Sequence, residues 1–255
     1  MTQVGLEATH VRRLVIRVQP GECAVEQTNW AEIAESGLYT VPMAARLLAA
    51  KPDKVRSWVE GYGHSKANPI LIRQLPRVGG KTVLGFLDLI ESAFVRHFRE
   101  IGYSPQTIRK VALKLRDRHD VDHPFAMNKR FKADGKSIFE EVVTDEGERR
   151  LVNLMNDNFV IVPAIEPSLF DQVFYVDDIA REWTPIRQHN RIVMNPKIAF
   201  GRPVVKDIWI PTETLFNSYQ AEGGVREAAE EFGVSEADVS AAASFEQELR
   251  TRVLH

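Results

Sequence analysis

The sequence predicts a mainly helical α+β protein, built from two helix-turn-helix modules joined by a β-containing connector. Three observations predict it. Pairs of short amphipathic helical patterns occur near both ends of the chain, and the clearest helical periodicity, at 86–101, follows the first pair. Between the pairs, residues 121–190 replace that periodicity with short apolar runs punctuated by Pro163, Pro167 and Pro185. The chain has 255 residues, 44% of them hydrophobic and 27% charged, which is ample for a buried core. It divides into an arm or edge strand (1–36), a winged helix-turn-helix with following helices (37–120), the connector (121–190) and a C-terminal helix-turn-helix module (191–255).

In the arm, residues 14–18 form a β-like run closed by Pro20 and Gly21. Thr40 is an N-cap, and Ala44, Ala45, Leu47 and Leu48 give the first helix an apolar stripe. Pro52 and Asp53 open a second helix that buries Val55, Trp58 and Val59 and ends at Gly61. Residues 70–72 and 81–84 flank a turn at 76–80, predicting a hairpin where a winged helix carries its wing. The helix at 86–101 presents a broad apolar face, a candidate dimer surface. After Gly102, Ser104 and Pro105 open a helix that turns Ile108, Val111, Ala112 and Leu115 inward.

In the connector, Asp134-Gly135 predicts a tight hairpin between 128–133 and 136–142. Residues 160–162 and 173–176 read as strands, and Asp177-Asp178 reads as a helix cap before Ile179. The last module opens with short strands at 191–194 and within 201–210. Thr212 then caps a helix over 213–221, residues 225–232 form a short helix, and Ser235 caps a long one reaching about Val253.

The charge is divided unevenly. Lys and Arg number 33 against 35 Asp and Glu, a formal net charge of −2, so a uniformly basic nucleic-acid coat is excluded. Residues 37–81 nevertheless carry eight cations against two acids, a balance of +6, whereas residues 203–255 carry four against ten, a balance of −6. Such a chain fits two kinds of partner, and two ordinary solvated faces would carry the same pattern.

The lone Cys23 excludes an internal disulfide or a Cys-rich zinc site. No secretory leader and no apolar run long enough for a membrane span is recognisable, so a cytoplasmic location without membrane attachment is expected.

A helix-turn-helix places its second helix in the major groove. Lys54, Arg56 and Ser57 avoid that helix's apolar stripe and are predicted to face DNA. Lys51 and Arg46 fall near its start, and Arg73, Arg77 and Lys81 fall on the wing. Arg56 suits a bidentate contact to guanine and the lysines suit phosphates. The helix after Ser104 adds an outer row of Arg109, Lys110, Lys114, Arg116 and Arg118, either a second phosphate contact or a solvated face. In the last module, Trp209, Phe216 and Tyr219 are candidate partner-binding aromatics, although core packing also explains such residues.

No enzyme signature stands out and no cofactor is expected. A glycine-rich phosphate loop, Gly-x-Ser-x-Gly and His-Glu-x-x-His are all missing from the sequence. His119, Asp120, Asp122 and His123 form the best metal-like cluster and motivate the rival reading, a metal-dependent nuclease.

Two resemblances sharpen the expectation. The run Tyr39-Thr40-Val41-Pro42-Met43-Ala44-Ala45-Arg46-Leu47-Leu48, with Val55-Arg56-Ser57-Trp58-Val59-Glu60-Gly61-Tyr62, resembles the MerR-type winged helix-turn-helix. Residues 201–211 and 223–245, including Gly223-Gly224-Val225-Arg226-Glu227-Ala228-Ala229, resemble a small bacterial antitoxin family. Asp207-Ile208-Trp209 stands where that family has Gly-Thr-Arg, so the role of its arginine is not carried over. The whole chain therefore resembles a long VapB-type antitoxin. The resemblance implies a homodimer that represses its own operon on double-stranded operator DNA and neutralises a toxin, commonly a PIN-domain ribonuclease. A MerR-like regulator without a toxin, which would need a ligand pocket in 121–190, is the alternative.

Overall fold

A computed structural model describes residues 35–61, 68–128, 131–133, 138–143, 149–154, 156, 159–160 and 170–252. The predicted strand at 14–18, Cys23, Tyr62, the Asp134-Gly135 turn and residues 161–162 lie outside them. Among the described residues are seven α-helices and small antiparallel sheets, an α+β fold as the sequence predicts. No helix among them is long and apolar enough to cross a membrane.

The first helix pair follows its capping chemistry. Helix α1 (Val41–Leu47) starts at Thr40, whose Oγ1 accepts from Met43 N at 3.3 Å, and α2 (Pro52–Glu60) starts with proline at its first position. Between them Ala49 adopts φ 45°, a left-handed turn that lets Ala44, Leu47, Val55 and Trp58 face each other in the interior. Strand β1 (Tyr39–Thr40) precedes α1 and pairs with β2 (Val83–Leu84).

That pairing corrects the predicted wing. Residues 70–72 form no strand: the amides of Ile70 and Leu71 donate to the carbonyl of Trp58 at 2.9 and 3.1 Å, tying this segment to the end of α2. The hairpin shrinks to a tight turn at 78–81, closed by reciprocal Val78 and Lys81 backbone bonds around Gly79 and Gly80.

Helix α3 (Phe86–Glu100) is the centre of the molecule, which corrects its reading as a dimer surface. Phe86, Leu89, Ile90, Phe94, Val95 and Phe98 are all buried within the protomer. The rings of Phe94 and Phe98 meet Phe125 at centroid distances of 6.3 and 5.6 Å. Helix α4 (Pro105–His119), capped by Ser104, lays Ile108, Val111, Ala112 and Leu115 on this core as its spacing predicts.

In the middle of the chain, β3 (Phe131–Ala133), β4 (Ile138–Val143), β5 (Arg149–Asn153) and β6 (Phe159–Val160) form an antiparallel meander. Strands β7 (Val173–Val176) and β8 (Ile179–Trp183) form a hairpin. Asp177 and Asp178, at φ 50° and 60°, make its turn and cap no helix, because two successive left-handed residues suit the twist of a two-residue hairpin. Trp183 and Met194 exchange backbone bonds of 3.0 and 2.8 Å, joining β8 to the last segment.

That segment holds β9 (Ile192–Val193) antiparallel to β10 (Val204–Val205), then α5 (Thr212–Glu222), α6 (Val225–Phe232) and α7 (Glu236–Thr251). Left-handed Gly223 and Gly233 end α5 and α6, and Ser235 with Asp238 forms a capping box on α7. Thr212 does not cap α5. It is the first helical residue, and its hydroxyl instead donates to Glu246 on α7. One continuous buried cluster runs from Tyr39 through α3 to Leu249, so both helix groups share a single core.

Candidate nucleic-acid interface

Helix α2 turns Val55, Trp58 and Val59 inward, and its exposed side carries Lys54 and Arg56, with Lys51 at its N-cap. Arg56 lies 3.7 Å from Asp53 and 4.0 Å from Glu60, loose surface pairs that leave the guanidinium 55% exposed. Glu60 also accepts from Arg77 at 2.6 Å and from the hydroxyl of Thr82, so one carboxylate couples the end of α2 to both sides of the 78–81 turn. Lys81 is exposed on that turn. Lys51, Lys54, Arg56, Arg77 and Lys81 thus all come from α2 and the turn fastened to it.

Three of the predicted contacts lie elsewhere or are buried. Ser57 is 8% exposed and its hydroxyl donates to Lys54 O at 2.7 Å, so it faces the helix backbone and not a groove. Arg73 is half-buried, with one guanidinium nitrogen enclosed and without a bonded partner among the described residues. Arg46 leaves the last turn of α1 toward the C-terminal helices and lines a cavity there with Arg202, Glu246 and Arg250.

The second basic row is largely structural. Arg109 donates to Asn68 O at 2.7 Å and Arg116 to Ile70 O at 2.9 Å, so α4 holds the segment that follows α2. Arg118 meets Glu140 at 3.0 Å. Sequence spacing alone does not separate these cations from solvated ones, because the acceptors Asn68, Ile70 and Glu140 are more than 20 positions away.

The two histidines of the metal-like cluster diverge. His119 Nε2 lies 2.6 Å from Glu140 on β4, while His123 Nδ1 lies 3.2 Å from Glu91 and 3.8 Å from Asp88 on α3. Asp88 and Glu91 are fully buried. Burial raises the Asp88 carboxyl to about 6, against the pull of His123 and the Gly85 and Gln74 amides. For His123 burial favours the neutral ring, but Glu91, Asp88 and Asp122 outweigh it and raise its value. These residues were visible in the sequence, but their partners on α3 were not.

At the C-terminal end, the aromatic predictions divide. Trp209 is 41% exposed and Tyr219 is half-buried, but Phe216 is 2% exposed, with the Arg250 guanidinium 4.2 Å above its ring, so it is a core residue. Phe200, missed in the sequence, is 56% exposed at φ 56°, and Trp209 also has a left-handed φ of 58°. Glu222, Glu227, Glu230, Glu231 and Glu236 are exposed along α5 to α7.

The arrangement is therefore an α+β protein with a basic helix pair at one place on its core and an acidic helix group at another. Residues 192–245, from β9 into α7, match the family model described as a protein of unknown function (DUF433). No curated protein matches the chain. The crystal structure of Rv2018 from Mycobacterium tuberculosis is similar in fold, with a TM-score of 0.55 and 18% identity, over 80% of this chain and 96% of that one.

Proposed function

We propose that the protein is a DNA-binding antitoxin of a type II toxin–antitoxin pair, which represses its own operon and neutralises a PIN-domain ribonuclease. The observation that carries the reading is the pairing of two surfaces of opposite sign on one core. Lys51, Lys54, Arg56 and Lys81 are exposed about α2, with Trp58 and Val59 buried behind them. The exposed glutamates of α5 to α7 repel phosphate and attract a basic partner. Recognition of a palindromic operator requires a two-fold dimer, whose interface must lie outside the buried face of α3.

The test is retardation of DNA from upstream of the protein's own gene, in EDTA, by wild type and Arg56→Ala. Retardation that Arg56→Ala weakens supports the reader, and a ribonuclease that co-purifies and is inhibited supports the antitoxin. Absence of retardation at low salt removes the DNA role, since phosphate contacts are strongest there.

A second reading, a regulator that answers to a small ligand without a toxin, is favoured by a cavity of about 210 Å³. Leu47 of α1 and Leu48 just after it, His97 of α3, Trp183 of β8, Ile186 and Gln188 line it, and the buried Trp183 indole N–H has no partner among the described residues. That reading predicts retardation that depends on a small molecule, with no co-purifying ribonuclease.

A further inference from the structure

A second cavity, of about 250 Å³, opens between α1 and the C-terminal helices. Three arginines line it, and each comes from a different part of the chain. Arg46 is in the last turn of α1, Arg202 precedes β10, and Arg250 is near the end of α7. All three are exposed, and none makes an ion pair within 4.0 Å among the described residues. Arg250 is held over the ring of Phe216, which orients a guanidinium without neutralising it. Elsewhere in this protein Arg56, Arg77, Arg96, Arg118, Arg191, Arg226 and Arg252 all have acidic partners. Arg99, Arg109 and Arg116 instead donate to backbone carbonyls, so what sets Arg46, Arg202 and Arg250 apart is that three guanidinium groups without an ion pair among the described residues line one cavity.

Two carboxylates share the lining, and both have to be weighed. Glu246 is 8% exposed and accepts the Thr212 hydroxyl. Burial, with Glu213 nearby, raises its value, while Thr212, Arg250 and Arg46 lower it. Glu213 is exposed. With both acids ionised the lining still has a surplus of one positive charge, and protonation of Glu246 would add another.

We propose that Arg46, Arg202 and Arg250 form a binding site for a phosphate group, seated between the helix pair and the C-terminal helices. A phosphate has enough acceptor oxygens and negative charge to engage three planar forks at once, whereas a single carboxylate is satisfied by one. The cavity is smaller than a typical drug-sized pocket, so a free ligand is limited to a phosphate or a small phosphate ester. A backbone phosphate of DNA is the other source of the same chemistry. The site does not depend on the DNA-binding reading, since a free ligand would occupy it either way.

The test is calorimetric titration of the full chain with sodium pyrophosphate and with inorganic phosphate in chloride buffer. Wild type, Arg202→Gln and Arg202→Gln/Arg250→Gln are compared, alongside the salt dependence of DNA retardation. Arg202 has no side-chain bond to lose among the described residues, so the Tm of Arg202→Gln without ligand is expected to equal that of wild type. Saturable pyrophosphate binding that Arg202→Gln weakens about ten-fold supports the site with a free ligand as its source. Absence of pyrophosphate binding, together with a log–log salt slope for DNA that is about two smaller in the double variant, supports the site with DNA as its source. Equal pyrophosphate binding by wild type and variants overturns the proposal. So does the lack of any response in both assays.

Discussion

The phenolic hydroxyl of Tyr39 donates to the carbonyl of Gly201 at 2.8 Å, across 162 positions of sequence, and it does so in a fully buried environment. A second bond lies beside it, from Leu38 N to Phe200 O at 3.1 Å. Together they fasten the strand that introduces α1 to the start of the C-terminal segment. Gly201 sits at φ 79°, where a Cβ would fall 2.9 Å from Tyr39 Cζ, so both its conformation and its space require glycine. Tyr39→Phe leaves the buried carbonyl unpaired and is expected to lower stability by about 1–3 kcal/mol. Gly201→Ala adds backbone strain of about 1–3 kcal/mol to the displacement of the ring, and is expected to be the more damaging change. Urea unfolding of both variants checks the order. A Tyr39→Phe protein as stable as wild type would show that the bond does not hold the two parts together.

The buried group Asp88, Glu91 and His123 makes stability depend on pH in a direction opposite to that of most carboxylates. The folded value of Asp88, about 6, is above its unfolded value of 3.8, so between these values the folded state holds more protons than the unfolded one. Its contribution is therefore full below about pH 4 and declines as pH rises through 6. His123, also raised, adds a further loss above its unfolded value of 6.5. The unfolding free energy of wild type relative to Asp88→Asn is expected to fall by about 2 kcal/mol from pH 4 to pH 6. Denaturant titrations across that range measure it, and a difference that stays constant contradicts the assignment.

Local chemistry made the helices legible, and distant pairing hid the rest. Thr40, Ser104 and Ser235 each cap the helix expected of them, and Gly61, Gly223 and Gly233 end theirs. The wing was misread because Val83 and Leu84 pair with Tyr39 and Thr40, more than 40 positions away, and nothing in 81–84 marks that choice. Asp177-Asp178 carries the same residue types in a cap and in a hairpin turn, so Ile179–Trp183 was missed as a strand. The apolar face of α3 was correctly read as a face, but its burial by Phe125 and the following helix is a tertiary fact. At the basic site, exposure of Lys54 and Arg56 followed from the Val55, Trp58 and Val59 stripe. The burial of Ser57 did not, because a small hydroxyl satisfied by its own helix is compatible with either side.

That distinction yields a prediction for the DNA interface. Lys51 and Lys54 are exposed point charges suited to phosphates, and their joint replacement by alanine is expected to weaken retardation of all DNA sequences alike. The log–log salt slope should fall by about two. Ser57→Ala removes only a bond to the helix's own carbonyl and is expected to leave DNA affinity unchanged. An unchanged slope in Lys51→Ala/Lys54→Ala would place the phosphate contacts elsewhere.

The C-terminal aromatics divide by a different physical test. Phe216 is buried beneath Arg250, so Phe216→Ala is expected to lower stability by about 3–5 kcal/mol, as core truncations do. Trp209 is 41% exposed on a left-handed backbone, a conformation that disfavours a bulky side chain by about 1–3 kcal/mol. Phe200, on the other side of β10 in sequence, shares both features. Strain and exposure together are better matched to a contact with a partner than to packing within the protomer. If the proposed capture of a ribonuclease holds, Trp209→Ala is expected to change Tm little while speeding dissociation of that partner at least about ten-fold, as loss of an aromatic anchor does. Surface plasmon resonance on the co-purified complex measures that rate. A Trp209→Ala protein with wild-type dissociation and a markedly lower Tm would make Trp209 a folding residue and move the capture surface to the glutamates of α5 to α7.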